Sequence, residues 1–381
     1  MNVTKRKIPI LIVAGEASGD MHGAGLVREL KKKNPNYQFF GICGEMMEKE
    51  GVEPIHHVRE MSFLGFFEVV KHLPFIRQVL KNMTTLMEER KPSLIILIDY
   101  PGFNLKLAKE AKKREIPVIY YISPQVWAWR KKRIKKIARR IDKMIVIFPF
   151  EEDLYRKEGV DVQFVGHPLC DTVKVNQSRE EFFEEIGMDY SKPTIGLLPG
   201  SREQEVRSLL PEMEKACSIL RQKIPGLQII LGKAPMLPDK IYKQFLSENT
   251  YSVRNKTYEV MAHSDVVIVA SGTATLETAL LGTPMVILYR MSPLSFLLGK
   301  SMVRVKHIGL VNIVAGKEIV PELIQGKAKG KRIAEEVLSL LTDKERSNKI
   351  KEKLREMSHK LGGKRATERA ARAVVEFTEM N

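Results

Sequence analysis

The sequence predicts an α/β protein made of two Rossmann-like domains, each a doubly wound parallel sheet, with a helical C-terminal region. Three observations indicate this fold. Short apolar runs rich in Ile and Val recur along the chain, as is typical of strands buried on both faces of a parallel sheet. Segments typical of helices alternate with these runs. A polar stretch at 166–176 interrupts the series and indicates a hinge between two domains.

The elements follow in order along the chain. The first domain is predicted to contain strands at 8–13, 94–98, 118–122, 144–148 and 162–165. The second is predicted to contain strands at 195–198, 227–231, 266–269 and 285–288. Helices are predicted at 23–33, 105–114, 203–222 and 273–281. We therefore expect domains at 1–170 and 171–345, and C-terminal helices at 346–381 that pack back on the first domain or on a partner subunit.

Composition limits the class of protein. The chain of 381 residues carries 63 Lys and Arg against 46 Asp and Glu, a net charge of +17, which favours an anionic partner such as a membrane surface, a phosphorylated substrate or nucleic acid. Its 3 cysteines form no C-x-x-C pair, which argues against a disulfide framework or a cysteine zinc site. No apolar run approaches the ~20 residues of a membrane span. We expect a cytoplasmic protein.

Ligands of open α/β sheets bind beyond the carboxyl ends of the strands, so the residues after each apolar run are candidates. The segment GEASGD at 15–20 follows the first strand and fits neither the dinucleotide fingerprint nor the P-loop. It is either a turn in which Ser18 or Asp20 caps the following helix, or a loop that faces the substrate. Asp99 follows the strand at 94–98, where an apolar environment would raise its pKa and suit a general base, although a helix cap is the alternative.

Two turns in the second domain predict a diphosphate site. Each turn contains small residues and opens a helix whose free N–H groups attract anions. Glu277, about one turn into the second of these helices, could bind both hydroxyls of a ribose, or could simply stabilise the helix start. The candidate residues of this diphosphate and ribose site are Gly200, Ser201, Arg202, Ser271, Gly272, Thr273 and Glu277.

Three further segments have open interpretations. The segment SPQVWAWR at 123–130 predicts either core packing or the wall of an acceptor pocket, with Ser123, Gln125 and Trp127 as candidates. The segment 130–140 has eight basic residues in eleven and is a solvated helix face, a membrane surface or a nucleic-acid surface. The apolar stretch 61–80 is a core helix or a flap in the membrane interface. Its candidate lipid contacts are Phe63, Leu64, Phe66, Phe67, Leu73, Phe75 and Ile76.

These motifs together closely resemble the lipid-A-disaccharide synthase family. The resemblance rests on AGEASGD at 14–20, SPQVWAWR at 123–130, LPGSR at 198–202 and ASGT at 270–273, and matching stretches run in order from residue 10 to about residue 316. It implies a GT-B fold with the active site in the cleft between the domains. It also implies an inverting hexosyltransferase that joins UDP-2,3-diacylglucosamine to 2,3-diacylglucosamine 1-phosphate through a β-1,6 linkage and releases UDP.

The resemblance also implies several properties of the site and its partners. Asp99 matches the proposed general base, Arg202 the arginine of the diphosphate turn, and Asn312 an asparagine important for activity. Glu16 and Asp20 remain alternative bases. Peripheral association with the inner face of the cytoplasmic membrane and a homodimer through C-terminal elements are implied, with no cofactor. The absence of any Asp-x-Asp motif agrees with a transferase that needs no metal.

Two positions depart from the family pattern. Gly102 stands where some members carry a second acid, and Thr278 where some carry a cysteine. Two other classes of protein stay open. A different GT-B enzyme, such as a UDP-sugar epimerase or a cell-wall N-acetylglucosaminyltransferase, would act on an unacylated UDP-sugar. A basic binding protein without catalysis would bind DNA with a steep salt dependence, although no nucleic-acid partner is expected.

Overall fold

The computed structural model describes residues 7–61, 72–125, 133–291 and 306–380. The chain divides into two compact units. The first unit consists of Met1–Asp171 together with Leu361–Asn381, and the second of Thr172–Lys360. Each unit is built around its own parallel sheet.

The first unit contains a seven-stranded sheet in the order β3-β2-β1-β4-β5-β6-β7. All neighbouring strands in this sheet are parallel. All five strands predicted for this part of the chain are present. The strands are β1 Ile8–Ala14, β2 Tyr37–Cys43, β3 Val52–His57, β4 Leu94–Ile98, β5 Val118–Tyr121, β6 Lys143–Val146 and β7 Asp161–Phe164.

The second unit contains a six-stranded parallel sheet in the order β10-β9-β8-β11-β12-β13. The four strands predicted for it are present. The strands are β8 Thr194–Leu198, β9 Gln228–Lys233, β10 Tyr251–Arg254, β11 Val266–Ala270, β12 Met285–Tyr289 and β13 Glu322–Ile324.

Helices connect the strands, as the alternating pattern predicts. In the first unit they are α1 Ala17–Lys33, α2 Glu45–Lys49, α3 Val58–Met61, α4 Leu73–Arg90, α5 Pro101–Lys112, α6 Ile134–Ala138, α7 Pro149–Arg156 and, at its end, α8 Leu169–Thr172. In the second they are α9 Arg179–Glu185, α10 Glu203–Arg221, α11 Asp239–Lys243, α12 Thr257–His263, α13 Ala274–Leu280, α14 Leu310–Ala315, a 3-10 turn Gln325–Lys327, α15 Gly330–Thr342 and α16 Lys344–Lys360. The last helix, α17 Ala366–Met380, belongs to the first unit, where it packs against α1.

Four strands escape prediction because they lack a continuous apolar run. β3 and β10 lie at sheet edges, where polar residues and proline are tolerated. β13 is also an edge strand and has only three residues. In β2 the exposed Gln38 interrupts the apolar pattern. By contrast, every residue of β4 is buried, which is why the run at 94–98 is easy to recognise.

The strand order places the predicted turns side by side. In both sheets the order reverses between two central strands, and ligands of such sheets bind beyond the carboxyl ends at this reversal. In the first sheet the reversal lies between β1 and β4, where Ala14 is paired with Ile98. In the second it lies between β8 and β11, where Leu198 is paired with Val269. The candidate loops that follow these four strands therefore share one edge within each unit.

Helix α4 corrects part of the predicted membrane surface. Ile76 is 8% exposed and belongs to the core of the first unit, with Val79, Met83 and Met87 on the same helix face. Phe75 is half-buried against this core, and Leu73 is also half-buried. The prediction that Ile76 contacts lipid is therefore wrong, because its side chain packs against the sheet.

Four other predicted lipid contacts, Phe63, Leu64, Phe66 and Phe67, lie outside the described residues. In the basic segment, α6 buries Ile134 and Ile137 and leaves Lys135 and Lys136 exposed. None of the helices in the described ranges combines the length and the apolar character needed to cross a bilayer.

Candidate functional site

All seven predicted donor-binding residues line one cavity of the second unit, with a volume of about 660 Å³. The cavity lies beyond the ends of β8 and β11, where the sheet order reverses. Its walls also include residues that sequence reasoning missed, among them Lys174, Asn176, Glu205, Asn255 and Tyr258. Asn255 follows β10, an edge strand without an apolar run, and therefore does not come after any strand that the sequence predicts.

The first turn of the cavity, between β8 and α10, already holds a carboxylate. Oε2 of Glu205 accepts hydrogen bonds from the backbone N–H groups of Ser201, at 3.1 Å, and Arg202, at 3.3 Å. Nη1 of Arg202 lies 3.5 Å from Oε1 of the same side chain. Glu205 is the third residue of α10, a position where acids commonly cap a helix, and this pattern could have identified it in the sequence.

Gly200 makes this arrangement possible. Its φ of +111° lies in the region that favours glycine. A Cβ atom at this position would overlap the Glu205 carboxylate. The close approach predicted for Gly200 therefore exists, and in this structure the group that approaches is the protein's own side chain.

The second turn, between β11 and α13, presents Ser271, Gly272 and Thr273 to the cavity. A Cβ atom at Gly272 would meet no atom within 4 Å, so this turn borders open space. The hydroxyl of Ser271 donates to the carbonyl oxygen of Ile308 at 3.1 Å, which fixes its position.

Glu277 faces the cavity from α13 and accepts a hydrogen bond there. The hydroxyl of Tyr258 donates to Oε1 of Glu277 at 3.1 Å. Burial raises the pKa of Glu277 above its ordinary value, and the hydrogen bond from Tyr258 opposes this rise. Because Tyr258 engages one carboxylate oxygen, it fixes the orientation in which Glu277 can accept further hydrogen bonds.

Asn312, which the resemblance implies is important for activity, lies in the interior of the second unit. Its side chain is fully buried. Its Nδ2 donates to Val320 O and Glu322 Oε1, and its Oδ1 accepts from the N–H groups of Ile319 and Val320. These bonds use its full capacity. All four hydrogen bonds are internal to the protein, so the position of Asn312 indicates a supporting role.

The contacts of Asn312 nevertheless lead toward the cavity. The carboxylate of Glu322, to which Asn312 donates, also accepts from the N–H groups of Ile308 and Gly309. Ile308 is in turn the residue whose carbonyl holds Ser271. Asn312 therefore supports the second turn through a chain of hydrogen bonds.

Asp99 stands in the first unit, directly after β4, in an unusual backbone conformation. Its φ is +42° and that of Tyr100 is +48°, so two consecutive non-glycine residues are left-handed. The Asp99 carbonyl accepts hydrogen bonds from Nδ2 of Asn104, at 2.7 Å, and from the Tyr120 hydroxyl. Its N–H donates to Tyr121 O at 3.1 Å. These contacts hold the strained turn in place.

The environment of Asp99 suits a proton acceptor. Burial, with a further contribution from the negative charge of Glu16, raises the pKa of Asp99 to about 6. Glu16 itself is exposed at the start of α1. The Gly15 turn packs so closely against the Tyr100 ring that a Cβ at Gly15 would overlap it, and the Tyr100 hydroxyl donates to Met61 O. The two predicted loops of this unit thus meet.

Asp20 supports a helix start, and this differs from its two predicted roles as an alternative base and as a contact of the acceptor. Its buried carboxylate accepts hydrogen bonds from the N–H groups of Gly44, Met46 and Met47, at 2.7 to 3.1 Å, and so caps α2. It is therefore neither a free base nor an acceptor contact. Ser18, by contrast, is exposed.

The remaining candidate contacts of the acceptor are Ser123, Gln125 and Trp127, and the first two differ in their exposure. Ser123 is buried, and its hydroxyl donates to Oε1 of Glu151 at 2.6 Å, an internal contact. Gln125 is exposed. Trp127 lies outside the described residues. Among the acceptor candidates that the structure describes, Gln125 and Ser18 present exposed side chains.

Solved structures share this architecture. The UDP-GlcNAc 2-epimerase from Neisseria meningitidis, crystallised with UDP-GlcNAc, is 14% identical with a TM-score of 0.63, covering 98% of this chain and 100% of that one. CalG4, the calicheamicin glycosyltransferase, is 15% identical with a TM-score of 0.64, covering 98% and 99%. At this identity the likeness concerns the fold alone, and it confirms the predicted GT-B class of two Rossmann-like domains.

Sequence comparisons are far closer. The family model described as lipid-A-disaccharide synthetase matches residues 10–377. A lipid-A-disaccharide synthase of Syntrophus aciditrophicus is 49% identical over 366 residues, 95% of this chain and 96% of that protein. One of Trichlorobacter lovleyi is 45% identical over 375 residues, 98% of each chain. The chain therefore belongs to the lipid-A-disaccharide synthetase family.

Proposed function

We propose that this chain transfers 2,3-diacylglucosamine from UDP-2,3-diacylglucosamine to the 6-hydroxyl of 2,3-diacylglucosamine 1-phosphate. The products are the β-1,6-linked disaccharide 1-phosphate and UDP. The observation that carries the proposal is the match to relatives named for this synthase along nearly the whole chain. The cavity of the second unit and the raised pKa of Asp99 support the proposal, because they suit a donor site and a base for such a reaction.

The donor is assigned to the second unit. The ribose hydroxyls would bind Glu277, whose orientation Tyr258 fixes. The diphosphate would lie between the turns that contain Gly200, Ser201 and Arg202 and, across the cavity, Ser271, Gly272 and Thr273. As the bond from the anomeric carbon to the phosphate oxygen breaks, negative charge accumulates on the departing UDP. The guanidinium of Arg202 and preorganised N–H groups would stabilise that charge.

Asp99 is assigned as the general base. The acceptor oxygen attacks the anomeric carbon from the face opposite the UDP, so a single displacement inverts that centre. The proton of the 6-hydroxyl passes to the Asp99 carboxylate. A pKa of about 6 leaves most of this carboxylate ionised at neutral pH while keeping it basic enough to accept the proton. Glu16 raises the basicity of Asp99 through its charge, and is the alternative base.

The acylated substrates suggest where the enzyme works. We place it at the inner face of the cytoplasmic membrane as a peripheral protein. The net charge of +17 favours an anionic surface, and the acyl chains would contact the apolar stretch 63–76 outside its core-packed part. Assembly as a homodimer through C-terminal elements stays a prediction, which sedimentation of the purified protein tests.

The deciding experiment measures UDP release from UDP-2,3-diacylglucosamine in detergent and EDTA, with and without 2,3-diacylglucosamine 1-phosphate. Release that depends on the acceptor supports the proposal and its independence of metal. Release without the acceptor would indicate hydrolysis. If no UDP is released under either condition while UDP still binds, the proposed reaction is overturned. Unacylated UDP-N-acetylglucosamine then becomes the next substrate to test.

A further inference from the structure

Glu205 accepts hydrogen bonds from the same N–H groups that the proposed diphosphate would need. Its carboxylate takes the N–H groups of Ser201 and Arg202, and it lies beside the Arg202 guanidinium. Two backbone donors and an arginine around two oxygens are also what a phosphate group requires. The side chain thus binds at this turn in the manner of an anionic ligand.

The turn is shaped for this internal contact. Gly200 leaves the space into which the Glu205 carboxylate fits, since a Cβ there would overlap it. Glu205 also lines the 660 Å³ cavity, so its carboxylate stands at the cavity wall rather than behind it. Its side chain is 28% exposed, which leaves it room to move.

A carboxylate and a diphosphate cannot share these donors. Each N–H group serves one strong acceptor at a time, and two anions in contact repel each other in a partly buried site. Resting on the proposed function, we infer that Glu205 is an internal substitute for the donor diphosphate. It leaves the Ser201 and Arg202 N–H groups when the donor binds and returns when UDP departs.

This exchange has a measurable consequence. In the free enzyme Glu205 accepts from the N–H groups of the turn and lies 3.5 Å from the Arg202 guanidinium, so binding of the diphosphate requires loss of those contacts. Glu205 therefore weakens UDP binding and favours release of the product. A ligand without phosphate does not displace Glu205, so its affinity is independent of this side chain.

The test compares UDP and uridine binding by calorimetry in the full-length protein and in Glu205→Gln. The amide keeps the size of the side chain and removes the competing charge. Because one charged hydrogen-bonding partner is lost from the competition, we expect UDP to bind about three- to tenfold more tightly. The ratio of UDP to uridine affinity should rise by the same factor. Unchanged or weaker UDP binding by the folded variant would overturn the inference.

Glu203→Gln is the matched control. Glu203 lies in the first turn of the same helix, but its carboxylate pairs with Arg207 rather than with the turn. An equal gain in UDP affinity from this variant would mean a general charge effect and would overturn the exchange. Thermal melting confirms that both variants are folded. If the unsubstituted protein binds no UDP, the proposed function fails first and the inference with it.

Discussion

The amide of Asn104 donates a hydrogen bond of 2.7 Å to the backbone carbonyl of Asp99, the residue whose carboxylate is the proposed base. The same carbonyl accepts from the Tyr120 hydroxyl. These two side chains hold the left-handed pair Asp99 and Tyr100, which costs of the order of 1–2 kcal/mol per residue to form. The orientation of the proposed base therefore depends on two fully buried residues.

Tyr120→Phe tests this dependence. Loss of the hydroxyl removes one of the two side-chain contacts to the carbonyl, so the turn relaxes and the Asp99 carboxylate gains water. We expect a lower turnover, an acid limb of the pH–rate profile displaced to lower pH, and a loss of about 1–2 kcal/mol of stability. Steady-state kinetics across pH and thermal melting measure these effects.

Tyr121→Phe is its matched control. Tyr121 is equally buried on the same strand, and its hydroxyl has no hydrogen-bond partner among the residues that the structure describes. Its loss should leave turnover and pH profile unchanged. If both variants behave alike, the hydroxyl of Tyr120 does not position the base.

Asp99→Asn should abolish the proposed proton transfer. Turnover is expected to fall by about 10²- to 10⁴-fold, the usual contribution of a general base. UDP affinity should stay at its original value, because the proposed donor cavity is formed by residues of the second unit. A variant with near-normal turnover would transfer the role of base to Glu16.

The same substitution has a predictable effect on stability. The pKa of Asp99, about 6 in the folded protein, lies above its ordinary value of 3.8. Between these values the folded protein binds more protons than the unfolded chain, so stability falls as pH rises through this window. At pH 7 Asp99→Asn removes the buried charge and should stabilise the protein by ~3 kcal/mol, given about 1.4 kcal/mol per pKa unit. At pH 3.5 the difference should nearly vanish, as urea titrations at both pH values would show.

Glu16→Gln should move the acid limb of the activity profile. In the unsubstituted enzyme kcat/KM is expected to fall below about pH 6 as Asp99 takes up a proton. Removing the Glu16 charge lowers the pKa of Asp99, so the limb should shift to lower pH while turnover near pH 7 persists. Loss of turnover at every pH would instead identify Glu16 as a direct participant.

Asp20→Ala separates a structural acid from a catalytic one. The substitution leaves three N–H groups at the start of α2 without their acceptor, so we expect about 1–3 kcal/mol of destabilisation. Turnover per folded molecule should be retained. Ser18→Ala, an exposed neighbour, should change neither quantity. A large loss of turnover at a temperature where Asp20→Ala remains folded would restore Asp20 to the list of bases.

The comparison of Asp99 with Asp20 shows what a sequence can and cannot predict here. Both acids follow, or nearly follow, an apolar strand, and that pattern locates them at the reversal of the sheet order. Which of the two carboxylates is available to accept a proton depends on contacts with residues that are distant in the sequence. Asp20 meets the start of α2, 24 residues or more along the chain, and no local pattern encodes that contact.

The proposed donor cavity likewise contains residues that the sequence predicts and residues that only the structure reveals. Its two turns follow β8 and β11, whose unbroken apolar runs are visible in the sequence. Tyr258 lies on α12, after an edge strand without such a run, and its contact with Glu277 spans 19 residues. Glu205 is close to the turn in sequence, but only the structure reveals that its carboxylate folds back onto the N–H groups of Ser201 and Arg202. Local patterns thus predicted the two turns that line this cavity, and tertiary contacts decide which other side chains reach it.

Tyr258→Phe tests the proposed ribose contact. Without the hydroxyl, Glu277 loses the hydrogen bond that fixes one carboxylate oxygen, and its orientation toward the ribose is no longer unique. We expect UDP affinity to fall about three- to tenfold, which corresponds to the usual net contribution of one hydrogen bond. The preference for UDP over 2′-deoxy-UDP should decrease as well, because the lost orientation serves the ribose hydroxyls. Calorimetry with both nucleotides measures the two effects. If UDP affinity falls but the preference is unchanged, Tyr258 supports the cavity wall and Glu277 does not bind the 2′-hydroxyl.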